Sequence, residues 1–196
     1  MKDAPLPILG GRLSIEVRDA TGSLLSQSSQ PMRSYVANFN RAVISQLTGV
    51  AQSLTRTTGV TGLGAVSANW LNNLGPSGSG AYGLVIGTSP RAVVGTDFKL
   101  GTPYLAGGTP ANRFTYAPGT FISETKSVGT LTYRYQRTMT NNTGAALTVN
   151  EVGFIPHCTI GGTVTALMLA IRDVILPTVV PNLSTITVTY DLFAVK

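Results

Sequence analysis

The chain has 196 residues, enough to bury one core of its own. Only 11% of them are charged and 43% are hydrophobic, which favours a protein packed among neighbours over a charge-rich free monomer. The net charge is +6, yet the basic residues are nearly all singletons (Arg12, Arg18, Arg33, Arg41, Arg56, Arg91, Lys99, Arg113, Lys126), which speaks against direct nucleic-acid binding.

Residues 1–11 contain Pro5, Pro7 and Gly10-Gly11, which predict an extended N-terminal arm. The single domain then runs over residues 12–196. Arg12 to Arg18 alternates, with Leu13, Ile15 and Val17 on one face, and predicts a half-buried strand. Asp19-Ala20-Thr21-Gly22 turns the chain, and Ser23 to Gln27 returns beside it. One helix is predicted over about residues 35–54, capped by Ser34. Val36, Phe39, Val43, Ile44, Leu47 and Val50 form its apolar stripe. Residues 55–80 are rich in Thr, Gly, Asn and Ser and predict a long loop, with Trp70 and Leu71 placed to touch a partner.

A short strand follows at Gly83 to Ile86, then a polar, glycine-rich connection to about Thr120. Alternation resumes at Leu131, with Tyr133, Tyr135, Arg137 and Met139 on its face and Thr132, Arg134, Gln136 and Thr138 on the other. Asn141-Asn142-Thr143-Gly144 predicts a hairpin turn, with Leu147 to Ile155 as the antiparallel partner. Val164 to Ile171 predicts a doubly buried strand, and Ile186, Val188, Tyr190 and Leu192 a last one. About seven or eight strands and one helix make the chain mainly β, a β-sandwich or jelly-roll-like domain.

Little chemistry is visible. A single cysteine, Cys158, permits no intrachain disulfide, and beside the single histidine, His157, it is too little for a metal site. There is no Gly-x-Ser-x-Gly elbow, no phosphate-binding glycine loop, no signal sequence and no apolar run long enough to span a bilayer. Catalytic, cofactor-binding and metal residues are therefore expected to be none, and the chain no enzyme. Glu151, Glu124 and Asp173 are the acids a glycosidase pair would have to draw on. Glu151 sits among Val149, Val152 and Phe154, a costly place for a lone charge, and Arg172 is its expected partner.

Several phrases resemble tailed-bacteriophage virion structural proteins. They are Gly11 to Gly22, Arg33 to Phe39, Gly83-Leu84-Val85-Ile86-Gly87-Thr88, Asp97-Phe98-Lys99-Leu100, Asn141 to Phe154, Arg172-Asp173-Val174 and Thr185 to Tyr190. Thr88-Ser89-Pro90 departs from the usual Thr-Gly, and the Trp70 loop has no counterpart. The resemblance implies a head, neck or tail component of a virion, made in the host cytoplasm. Its partners would be copies of itself, in a homo-oligomer, and other virion proteins, with no membrane and no cofactor. The alternative is a receptor- or glycan-binding module on a phage tail, using Trp70, Tyr82, Tyr104, Phe114 and Tyr116.

Overall fold

The structure, a computed structural model, describes residues 8–32, 35–65, 75–107, 113–127, 130–160 and 164–195. The described residues are mainly strand, with one helix, which fixes the class as mainly β and sandwich-like. The strands are β1 (Ile8–Arg18), β2 (Leu24–Pro31), β3 (Gln52–Thr55), β4 (Thr61–Gly64), β5 (Gly83–Gly87), β6 (Leu105–Ala106) and β7 (Arg113–Tyr116). They continue with β8 (Thr120–Ser127), β9 (Thr130–Thr140), β10 (Leu147–Ile155), β11 (His157–Ile160), β12 (Val164–Leu167), β13 (Ile171–Val180) and β14 (Thr185–Val195). The helix α1 covers Ala37–Thr48.

The larger sheet has seven strands in the order β2-β1-β14-β9-β7-β6, with β8 also on β9. Period-two alternation builds its core face. Leu13, Ile15 and Val17 stand opposite Tyr190, Val188 and Ile186, which in turn face Tyr135, Arg137 and Met139. All nine side chains are buried. The outer face is a polar ladder. Thr138 and Thr187 share a hydroxyl hydrogen bond of 2.9 Å, the Gln136 amide donates to Thr189 Oγ1 at 3.1 Å, and Ser14 donates to Ser29 at 3.3 Å.

The smaller sheet, β13-β10-β5, lies over that core. Val152 and Phe154, with Ile86 and Leu84 opposite them, point inward. The Phe154 ring meets Tyr135 of the larger sheet at 5.8 Å, and the Tyr190 hydroxyl donates to Asp173 Oδ2 at 2.8 Å. Its outer face carries Glu151, Gly153 and Arg172, which the 88–104 connection covers.

Several expectations change. Asn141 to Gly144 turns the chain, but β10 does not pair with β9; it crosses to the smaller sheet and pairs with β13 and β5. Asn141 explains the crossing. Its buried amide donates to Ala145, Val180 and Pro181 carbonyls while its oxygen accepts from the Thr143 N–H and hydroxyl. It thereby ties two turns that both pass between sheets. Residues 8–11 of the expected arm are strand, paired with Val195 to Leu192, and residues 1–7 lie outside the described set.

The helix is shorter than expected. Its N-cap is Val36, without a side-chain cap, and Ser34 lies outside the described residues. It ends at Gly49, whose φ of 68° is left-handed, the conformation that favours glycine as a stop. Its buried face is Asn38, Phe39, Ala42 and Ser45, while Ile44, Leu47 and Val50 of the expected stripe are exposed. The reason is β3, which takes the residues expected to end the helix. Asn38 donates to the Thr55 carbonyl at 2.7 Å and accepts from its N–H at 3.0 Å, and Arg41 donates to Ser53 O. The expected long loop begins as the other half of the β3–β4 hairpin, and its Trp70 and Leu71 lie outside the described residues. Val164 to Ile171 is likewise divided. β12 pairs with β11, Met168 to Ala170 are buried irregular chain, and Ile171 opens β13.

Candidate functional site

The densest chemistry in the described residues is the hub on the outer face of the smaller sheet. Register places Arg172 opposite Gly153 and Glu151 opposite Gly87, so both long side chains rise on one face between glycines. Both are fully buried. Arg172 Nε donates to Glu151 Oε2 at 2.8 Å, which is the pairing expected from sequence. Its Nη1 donates to Asp97 Oδ2 at 2.9 Å, and its Nη2 to the Arg91 carbonyl at 2.9 Å. Glu151 accepts from the backbone N–H groups of Ser89, Gly101 and Thr102 at 3.3, 3.0 and 2.8 Å. Asp97 is completed by the Arg91 side chain and the Val94 N–H.

Two arginines and two carboxylates make the hub formally neutral, which lets it exist away from water. Burial works against the charged form of Asp97. The hydrogen bonds from Arg91 and Val94 and the charge of Arg172 outweigh it and hold the carboxyl below its ordinary value. Every carboxylate oxygen of the hub is engaged. What the arrangement does is clamp the 88–104 connection onto the sheet at both ends and in the middle.

A second buried cation, Arg137 of β9, has no carboxylate partner among the described residues. Its five donor positions go to five carbonyls, those of Ala117, Tyr82, Leu84, Pro76 and Ser79, at 2.6 to 3.0 Å. The face of Tyr116 lies 4.8 Å away, and burial lowers the guanidinium pKa. This residue shapes the chain from Gly75 to Leu84 and joins it to the larger sheet.

The acids weighed for catalysis do not converge. Asp173, opposite Val152, points into the sandwich, away from Glu151 on the other face of the same sheet. Glu124 is in β8, on the larger sheet. His157 lies in β11 with its ring 5.0 Å from Tyr82. Cys158 is buried, its thiol donates toward Ala166 O, and burial pushes its pKa up to about 11, so it behaves as a small apolar residue. Among the described residues no group of three His, Cys, Asp or Glu is placed to hold a metal ion, and no helix is long and apolar enough to cross a membrane.

Three of the aromatics considered for glycan stacking are spent on the core, and Tyr82 is partly buried against it. Phe114 and Tyr116 are fully buried and Tyr104 nearly so. The Tyr104 hydroxyl donates to Thr148 O and that of Tyr116 to Tyr104 O. Trp70 lies outside the described residues. The outer face of the larger sheet holds a shallow depression of about 210 Å³, lined by Glu16, Gln27, Ile122, Arg134, Thr187 and Asp191. Arg134 grips Asp191 there in a two-pronged pair of 2.6 and 2.8 Å.

Sequence reasoning did not bring Asp97 or Arg91 to Arg172, because a charged residue in a glycine-rich connection carries no periodic signal. Arg137 was legible, since alternation places it on the apolar face of β9. No family model, curated protein or solved structure matches this chain.

Proposed function

We propose that the chain is a structural component of a tailed-phage virion, acting through contacts with copies of itself and with other virion proteins. The observation that carries this reading is the hub. The phrases that resemble such proteins supply Gly87, Asp97, Glu151 and Arg172, and these four residues meet in space. Their charged groups are consumed in holding one connection to one sheet, which is a structural rather than a chemical use of buried charge. The low charge content supports a chain that lives among neighbours.

The test is the mass of the purified chain by light scattering, followed by imaging of any large species. A ring, trimer or larger closed form is expected. A monomer that persists at high protein concentration overturns the reading.

A further inference from the structure

The edges of the two main sheets are guarded unequally. An edge strand exposes a row of backbone N–H and C=O groups that invites another strand, and proteins blunt it with charge, proline, bulges or shortness. β6 is two residues long. β8 carries Glu124 and Lys126. On β13 the register slips by two residues between Val174 and Thr178, and Pro177 sits inside that bulge. β2 is different. It has one strand neighbour among the described residues, β1, it carries no charge, and its one proline, Pro31, is its last residue. Its single irregularity lies at Leu25, which leaves Ser26 to Pro31 in regular register with Val17 to Arg12.

The side around that edge is also uncovered. Ser26 and Ser28 share the face of Val17 and Ile15, yet they are exposed where those two are buried, so the core stops short of this part of β2. The Gln30 amide donates to Val174 O at 3.1 Å and so fixes β13 beside β2. From that anchor both strands run to the same end of the sandwich. Leu24 and Leu25 are about half exposed there, Val179 is 53% exposed and Leu176 78%. An unpaired strand flanked by apolar side chains fits a strand-bearing protein surface better than a small molecule.

We infer that β2 is the seam at which a second copy of this chain adds its own β2, antiparallel, to make one continuous sheet across a two-fold axis. This rests on the self-assembly reading above and names the contact. A second copy is the occupant because in a two-fold antiparallel pair each residue near the axis meets itself. A charge there would face its own sign, and this edge has none. Ser26, Gln27, Ser28 and Ser29 instead meet as small hydroxyls and amides that both donate and accept.

The experiment compares the wild-type chain with Ser26→Lys and Ser28→Lys by light scattering. It adds oxidative cross-linking of Gln27→Cys, Ser28→Cys and Ser29→Cys. A disulfide needs Cα atoms within about 7 Å, so only a position near the axis will cross-link. The native Cys158 is buried and gives the uncrosslinked control. Far-ultraviolet dichroism and the thermal midpoint confirm that each variant is folded. The expected result is an assembled wild type, a two-fold or greater loss of mass in both lysine variants, and a cross-linked dimer from one cysteine position. An assembled wild type that is indifferent to both lysines and gives no cross-link overturns the seam and leaves the assembly reading standing. A monomeric wild type overturns both.

Discussion

Gly87 and Glu151 stand directly opposite each other across the β5–β10 ladder, and the absence of a side chain at one makes room for the carboxylate of the other. A Cβ on Gly87 would lie 2.5 Å from Glu151 Oε1 and 2.5 Å from the Thr102 carbonyl. Neither is the free end of a flexible chain, because Glu151 is held by Arg172 and three backbone N–H groups. Gly87→Ala is therefore expected to cost about 1–3 kcal/mol, the usual cost of overpacking. It should also speed amide hydrogen exchange at Gly101 and Thr102, whose N–H groups lose their acceptor. A urea midpoint and exchange pattern like those of the wild type would refute this account of the glycine.

The Glu151–Arg172 pair should show strong coupling. Removing one partner leaves a buried charge uncompensated, at about 3–5 kcal/mol, whereas removing both removes that charge imbalance, Asp97 staying paired with Arg91 and three backbone N–H groups losing their acceptor. The separate losses of Glu151→Met and Arg172→Met are expected to sum to far more than the loss in the double variant. Chemical unfolding of the four chains in a double-mutant cycle measures the difference, and additive losses would remove the pair from the account of the fold.

That pair was legible in the sequence for a physical reason. A carboxylate inside an apolar alternation must find a partner, and Arg172 lies inside the next apolar stretch. The two remaining members of the hub were not legible, since which loop residue reaches a buried arginine depends on how the 88–104 connection folds back. The alternating strands β1, β9 and β14 were read correctly for their faces, because one buried side forces a period of two. The helix was misread at its C-terminal half. Ile44, Leu47 and Val50 have helical spacing, but Asn38 and Arg41 bind the β3 backbone and set which side is buried. The turn at Asn141 was recognisable by its residues. Its partner strand was not, because the same turn chemistry serves a hairpin and a crossing between sheets.

Arg137 admits no substitute. Arg137→Lys keeps the charge but offers three donors in place of five, without the planar fork. Several of the carbonyls now bound by Arg137 would be left bare in the core. A loss of at least about 2 kcal/mol is expected for Lys, and more for Arg137→Met, at about 1–3 kcal/mol for each buried group left unpaired. Thermal unfolding checks the size of the effect, and proteolysis near Pro76 to Tyr82 checks its place. If Lys were tolerated with no change in either, the carbonyl cage would not be holding that segment.

Asn141→Ala removes one amide that serves both inter-sheet turns. The carbonyls of Val180 and Ala145 lose their shared donor, and Thr143 loses the acceptor for its N–H and hydroxyl. The expected cost is about 2–4 kcal/mol. Asn141→Asp is isosteric, replaces donors with a charge facing carbonyls, and should be worse than Ala at neutral pH. Unfolding of the two variants side by side gives the ranking, and equal stability would mean that the turns hold themselves.

Stability should fall at both extremes of pH, through different residues. Burial, the charge of Asp173 and the hydrogen bond to it raise the Tyr190 hydroxyl well above its ordinary value, and burial followed by the charge of Asp173 pushes Tyr35 up to about 12. A folded value above the unfolded one means that the protonated form is favoured in the native state. The contribution is fully present below about pH 10, the unfolded value, and is lost as pH rises through the folded values. At the acid end Asp97 has the opposite sign. Its folded value is depressed, so its contribution is present above about pH 4 and fades as pH falls through the folded value. Unfolding free energy measured from acid to alkaline pH should show both limbs. Asp97→Asn should flatten the acid limb, and Tyr190→Phe the alkaline one. In the wild type the buried tyrosines should ionise only as the chain unfolds, which near-ultraviolet tyrosinate absorbance reads directly. Reversible ionisation of every tyrosine near pH 10 in a chain that stays folded would mean that Tyr190 and Tyr35 are not where the structure puts them.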